Sequence, residues 1–206
     1  QGQFAPAAAI HLCRLAEFAY EANDLAAAQA CQQQAQAQAR QLGLDVVTTT
    51  SEAIAAKILV AQGDFDAALL RLQNAKAASR EGLADTTWID ALEGALYLRR
   101  GSISAAQAWA LRAGLQTDQP LHYLHMEQHI VYARLLLAQQ NADDARRWLQ
   151  RLDAFAEERG YMRWLISTRI LRALAEHPGS TRRALAFVAD AVRLAAPEQY
   201  VRAFLD

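Results

Sequence analysis

Apolar residues recur along this chain at spacings of three and four, in segments closed by one kind of punctuation. Ile54, Ile58, Leu59 and Ala61 share one helical face, and Phe65, Leu69, Leu72 and Ala75 continue it beyond Gly63-Asp64. Gly63 suits the left-handed geometry that closes a helix, and Asp64 or Asp66 can cap the next one. Ala67 and Ala68 let two antiparallel helices approach closely. The punctuation returns at Asn23-Asp24, Gly101-Ser102, Asn141-Ala142-Asp143 and, more loosely, Gly179-Ser180. Aligned on Ala27, Ala67, Ala105, Ala145 and Ala184, the steps are 40, 38, 40 and 39 residues. A constant step of this size is an internal repeat.

The repeat predicts five helical hairpins, at about 7–41, 48–81, 85–114, 121–159 and 161–196, with a further segment at 197–206. In the first, Ile10, Leu12, Leu15, Phe18 and Ala19 form the face of one helix. Its partner is a glutamine–alanine stretch that reads as a packed helix with glutamines outside. Thr49, Thr50 or Ser51 is placed to cap the helix that follows. In the third hairpin Trp88, Leu92, Leu96 and Leu98 precede Ala105, Trp109 and Leu111. Glu81-Gly82 and Thr117-Asp118-Gln119-Pro120 are breaks, and Pro120 suits a helix's first turn. Helix pairs at this step match helix-pair solenoids, for which tetratricopeptide repeats run at ~34 residues and HEAT or armadillo repeats at ~40–47. The small residue opening each second helix favours the tetratricopeptide kind. The expected fold is all-α, a right-handed superhelix of about five hairpins whose first helices line a concave wall.

Composition agrees with helix: 53% of the 206 residues are hydrophobic, with only nine Gly and four Pro. A net charge of −1 provides no basic footprint for nucleic acid. No apolar run is long enough to span a membrane and no signal peptide is evident, so a cytoplasmic setting is expected. Gln1 at one end and Leu205-Asp206 inside an apparent helix at the other read as a piece cut from a longer chain. Cys13 and Cys31 lack metal or redox spacing and are expected as buried, reduced thiols on one hairpin.

Chemistry is sparse. His122, His125 and His129 fall at i, i+3 and i+7 on one helix, but zinc needs further ligands and none of fitting spacing stands near. Groove lining, or partial burial against Tyr132 and Trp148, is the expected role. No phosphate-binding loop, nucleophile elbow or zinc-protease motif occurs, and Glu157-Glu158 reads as a solvated helix end. Neither catalysis, nor a metal, nor a cofactor is expected. Positions counted back from the aligned alanines give a candidate polar wall: Glu52, Asp90, Tyr97, Glu127, Arg134 and Arg169, with Trp88 and Trp164 as stacking surfaces. The alternative role for each is simply to solvate the concave face or to bridge neighbouring hairpins.

Two stretches, Ala133-Arg134-Leu135-Leu136-Leu137-Ala138-Gln139 and Ala145-Arg146-Arg147-Trp148-Leu149-Gln150-Arg151-Leu152, followed by Arg159-Gly160, resemble the sensor region of large LuxR-family regulators of the MalT type. The similarity extends through Arg169-Ile170-Leu171-Arg172-Ala173-Leu174-Ala175. It is closest at Ala196-Pro197-Glu198-Gln199-Tyr200-Val201-Arg202-Ala203-Phe204, where Gln199 replaces the family's usual glycine. The resemblance implies a tetratricopeptide-like domain that senses an inducer for an ATPase and a carboxyl-terminal DNA-binding domain, both outside this sequence. Its expected partner is a small-molecule inducer or a regulatory protein in the groove, with self-association of the whole regulator a further possibility. The alternative function is a scaffold that binds a peptide or protein. Inducer identity does not carry over.

Overall fold

The computed structural model describes residues 5–79 and 86–206. Ten α-helices and no strand are found among them: α1 (Ala5–Glu21), α2 (Leu25–Leu42), α3 (Asp45–Gln62), α4 (Phe65–Ala78), α5 (Thr87–Arg99), α6 (Ile103–Arg112), α7 (Met126–Ala138), α8 (Ala142–Glu158), α9 (Met162–Glu176) and α10 (Thr181–Ala195). The expected all-α arrangement of helical hairpins is what the chain adopts. The Glu81-Gly82 break and a hairpin start at position 85 lie outside the described residues.

The chain forms two compact units, residues 1–96 with Asp206, and residues 97–205, so that α5 straddles the division. In the first, α1 packs on α2, α2 on α3, α3 on α4, and α1 also reaches α3. Its core holds Cys13, Ala16, Tyr20, Ala28, Ala35, Ala39, Ile54 and Ile58. In the second, α6 through α10 pack in order and α7 also touches α9. Its core is built on Met126, Trp148, Leu149, Leu152 and Leu171.

The helix starts define the repeat. Side chains of Asp24, Asp64, Asn141 and Ser180 accept the N–H three residues on, and Ser102 stands at the matching position before α6. Four residues after these caps come Ala28, Ala68, Ala106, Ala145 and Ala184, all buried. Their steps are 40, 38, 39 and 39 residues. The alignment on Ala27, Ala67 and Ala105 is therefore one residue early in the first three hairpins, where those alanines are only half-buried. The cap position, rather than the first small residue, sets the register.

Other expectations change locally. The buried stripe of α1 is Ala9, Cys13, Ala16 and Tyr20, while Ile10, Leu15 and Phe18 face outward. Helix α3 starts at Asp45, so Thr49 and Ser51 are buried inside it and cap nothing. Gln32 and Gln36 point inward from the glutamine helix. Leu111 is exposed within α6, beside the buried Trp109 and Ala110. Pro120 precedes a 3₁₀ turn, Tyr123–His125, and α7 begins only at Met126. The last residues form a 3₁₀ turn, Arg202–Phe204, rather than a helix.

Candidate functional site

The cap-based register reveals a recurring contact. The residue twelve positions after each cap lies on the second helix of a hairpin, or in the third hairpin just past its end, and the residue twelve before the next cap lies on the first helix of the hairpin that follows. These pairs are Gln36 with Glu52, Lys76 with Asp90, Gly114 with His129, and Asp153 with Thr168. Three of the four are bonded side chain to side chain.

In the first unit, the Gln36 amide donates to Glu52, which is 4% exposed and is met from α4 by Arg71 at 3.2 Å. Beside it, the Gln32 amide donates to the Ser51 hydroxyl at 2.9 Å. At the next junction Lys76 Nζ lies 2.6 Å from both Asp90 and Glu93. Burial disfavours the ammonium, but its hydrogen bonds to the two carboxylates outweigh that and raise its pKa.

In the second unit, Asp153 is 3% exposed and fully engaged. The Thr168 hydroxyl donates to it at 2.9 Å, Arg169 Nε lies 3.0 Å away, and Arg172 donates to its other oxygen at 2.5 Å. Phe187 flanks the cluster, with the Arg172 guanidinium 4.2 Å from its ring centre.

The remaining junction, between α6 and α7, lacks a side chain at Gly114. Helix α6 stops short, and the connection through residues 113–122 takes over. Gln119, whose carbonyl side accepts from the Gln116 N–H, presents its amide to His129 Nδ1 at 3.2 Å. Arg151 holds this connection by donating to the carbonyls of Thr117 and, at 2.7 Å, Gln119. His129 is 2% exposed and stands edge-on to Trp148, whose indole N–H bonds the His129 carbonyl at 3.0 Å. Burial, with added repulsion from His125, Arg151 and His122, pushes its pKa down to about 4. The ring is neutral at pH 7, and its buried Nε2 has no hydrogen-bond partner among the described residues.

The eight wall residues fall into groups. Glu52, Asp90 and Arg169 are engaged in the inter-hairpin contacts just described. Glu127 and Trp164 are brought together: the indole N–H donates to the carboxylate at 2.9 Å, and Arg163 reaches it at 2.9 Å. Trp88, Tyr97 and Arg134 are half-buried on α5 and α7. Glu52, Trp88 and Asp90 belong to the first unit and the other five to the second. Sequence reasoning passed over Gln36, Lys76, Asp153 and Thr168, which counting from the caps would have found.

The expected packing of His129 against Trp148 is present. Among the described residues no group of three or more His, Cys, Asp or Glu is arranged to hold a metal ion. Cys13 and Cys31 are free thiols, and burial, then Glu17, pushes Cys13 up to about 11, which keeps it protonated and inert. No helix among the described residues is long and apolar enough to cross a membrane.

A family model described as the MalT-like TPR region matches residues 1–206. No curated protein matches the chain, and no solved structure does.

Proposed function

The chain belongs to the MalT-like TPR family, and from that premise we propose that it is the sensing module of a LuxR-family transcriptional regulator. An inducer or partner binds the wall formed by first helices and is relayed to ATPase and DNA-binding domains elsewhere in the regulator. The module acts by binding, without a cofactor, inside the cytoplasm; catalysis belongs to other domains. The proposed wall residues are Glu52, Trp88 and Asp90 within the first unit, and Tyr97, Glu127, Arg134, Trp164 and Arg169 within the second. The observation that supports this most directly is the chain-long family match.

The inter-hairpin contacts suggest how binding would be transmitted. Each hairpin touches mainly its neighbours, so a ligand that favours one setting of a junction shifts the population of settings. Glu52, Asp90 and Arg169 sit at such junctions, where ligand contacts would compete with neighbouring side chains. The test is a thermal-unfolding screen against sugars, aromatic acids, amino acids and nucleotides. A ligand at ~100 times its dissociation constant adds about 2.7 kcal/mol to the folded state. A saturable rise in midpoint with one chemical class supports the small-molecule sensor. Silence from every class in a well-folded sample would sink it.

A second reading, a protein-binding scaffold, draws on α10. Leu185, Val188 and Val192 form an exposed apolar stripe at i, i+3 and i+7. Mass measured against concentration separates self-association from capture of a different protein.

A further inference from the structure

At three of the four junctions a polar pair joins consecutive hairpins; at the fourth, Gly114 leaves the position opposite His129 without a side chain. The ring is fixed there by its neighbours. Because the Gln119 carbonyl oxygen accepts from Gln116, its NH2 group faces His129 Nδ1, which therefore accepts. The proton of this neutral ring then sits on Nε2, as a buried N–H without an acceptor among the described residues. A buried donor left unmet costs about 1–3 kcal/mol, so an acceptor supplied from outside is favoured.

Arg151 bears a permanent positive charge on this N–H. His125 lies 6.2 Å from His129 between ring centres, and His122 5.8 Å from His125. His125 meets Gln128 through Nδ1 at 3.0 Å, and His122 Nδ1 accepts the Leu124 N–H. Both therefore keep Nε2 available. The nearest acid along α7, Glu127, is already held by Arg163 and Trp164. On its Nδ1 side the ring meets the 113–122 connection, and a tethered loop opens at lower cost than packed helices.

We propose that the His129 locus is a binding site for a small carboxylate, received by His129 Nε2–H with Arg151 supplying positive charge, and closed over by the 113–122 connection. This rests on the sensing function proposed above and names the ligand class for it. An anion there would replace the missing side-chain clamp between the third and fourth hairpins. Occupancy would tighten that junction.

The deciding measurement is a long-range proton–nitrogen correlation spectrum of the imidazoles in the nitrogen-15-labelled chain. Acetate, succinate and benzoate are titrated in, with sodium chloride and benzyl alcohol as controls. A saturable shift of the His129 Nε2 resonance by a carboxylate, absent from both controls, is expected. Arg151→Gln should weaken that binding by about tenfold, the loss of one charge-assisted hydrogen bond. His129→Phe fills the same space and should abolish it; should that variant misfold, the wild-type and Arg151→Gln titrations still decide. A His129 signal unmoved into the tens of millimolar, or moved equally by chloride, overturns the site and leaves a buried water as the acceptor. A neutral compound that stabilises the domain with His129 silent would also overturn the site, while leaving the sensor intact.

Discussion

Lys76 Nζ lies 2.6 Å from the Asp90 carboxylate, joining the second helix of one hairpin to the first helix of the next. Two hairpins later Asp153 and Thr168 stand at the matching positions with the polarity changed, the hydroxyl donating at 2.9 Å. The location of the clamp is conserved by the geometry of the repeat, while its chemistry varies. Each version locks one junction without contributing to the apolar core.

Replacing Lys76 with Met keeps its stem and removes its charge. The Lys76 side chain is 37% exposed, so solvent screens the pair and the cost should stay near or below about 1 kcal/mol at neutral pH. Its pKa is raised in the folded state, so the contribution is complete below the ordinary lysine value of 10.5 and lost as pH rises through the higher folded value. Chemical denaturation at neutral pH and at strongly alkaline pH should show the difference between wild type and Lys76→Met closing. A gap that stays constant would contradict the ion-pair origin.

Asp153 presents a harsher case. Its carboxylate is almost fully buried and accepts from Thr168 and Arg172, with Arg169 beside it. Asp153→Ala would leave two guanidinium groups without their shared anion, at a cost of about 2–4 kcal/mol. Asp153→Asn should fall between the variant and wild type, because the amide oxygen still accepts the Thr168 hydroxyl. Equal destabilisation by both substitutions would point to packing rather than charge.

Much of this was legible in the sequence, and each misreading has a physical cause. Hairpin number and order follow from Gly63-Asp64 and its counterparts, because caps and left-handed stops are local chemistry. Register did not follow, since runs such as Ala26-Ala27-Ala28 offer several small residues and only the bonded cap selects Ala28. That one-residue slip places Arg169 beside Glu52 and Asp90 in the counting, in place of Thr168. The inward glutamines were hidden for a different reason: Gln32 and Gln36 are buried because Ser51 and Glu52 satisfy them, and those partners lie on another helix.

His129 makes acid the revealing condition. Its folded pKa of about 4 lies below the ordinary 6.5, so the unfolded chain binds more protons between those values. Stability is therefore complete above about pH 6.5 and declines as pH falls toward 4, by on the order of a few kcal/mol for a shift of this size. His129→Phe should flatten the pH dependence of the unfolding free energy in that window while leaving neutral-pH stability close to wild type. A variant whose acid dependence matches wild type would assign the effect to other groups.

Gln199 offers a gain. It adopts φ 55° where Gly43 and Gly160, after α2 and α8, adopt 66° and 67°. In all three places the next N–H bonds a carbonyl five residues back: Leu44 to Ala39, Tyr161 to Ala156 and Tyr200 to Ala195. The turn is thus the same helix-terminating motif, with a side chain in the left-handed region at Gln199, as also at Asn23 and Gln140. A Cβ there costs about 1–2 kcal/mol, and glycine returns part of that as unfolded-chain entropy, about 0.5–1 kcal/mol. Gln199→Gly should therefore stabilise the chain by about 0.5–1 kcal/mol, read as a higher denaturation midpoint with unchanged slope. The same substitution at Gln29, an exposed site inside α2, should destabilise by a similar amount. If both variants lost stability, the Gln199 side chain would be contributing a contact that outweighs its backbone strain.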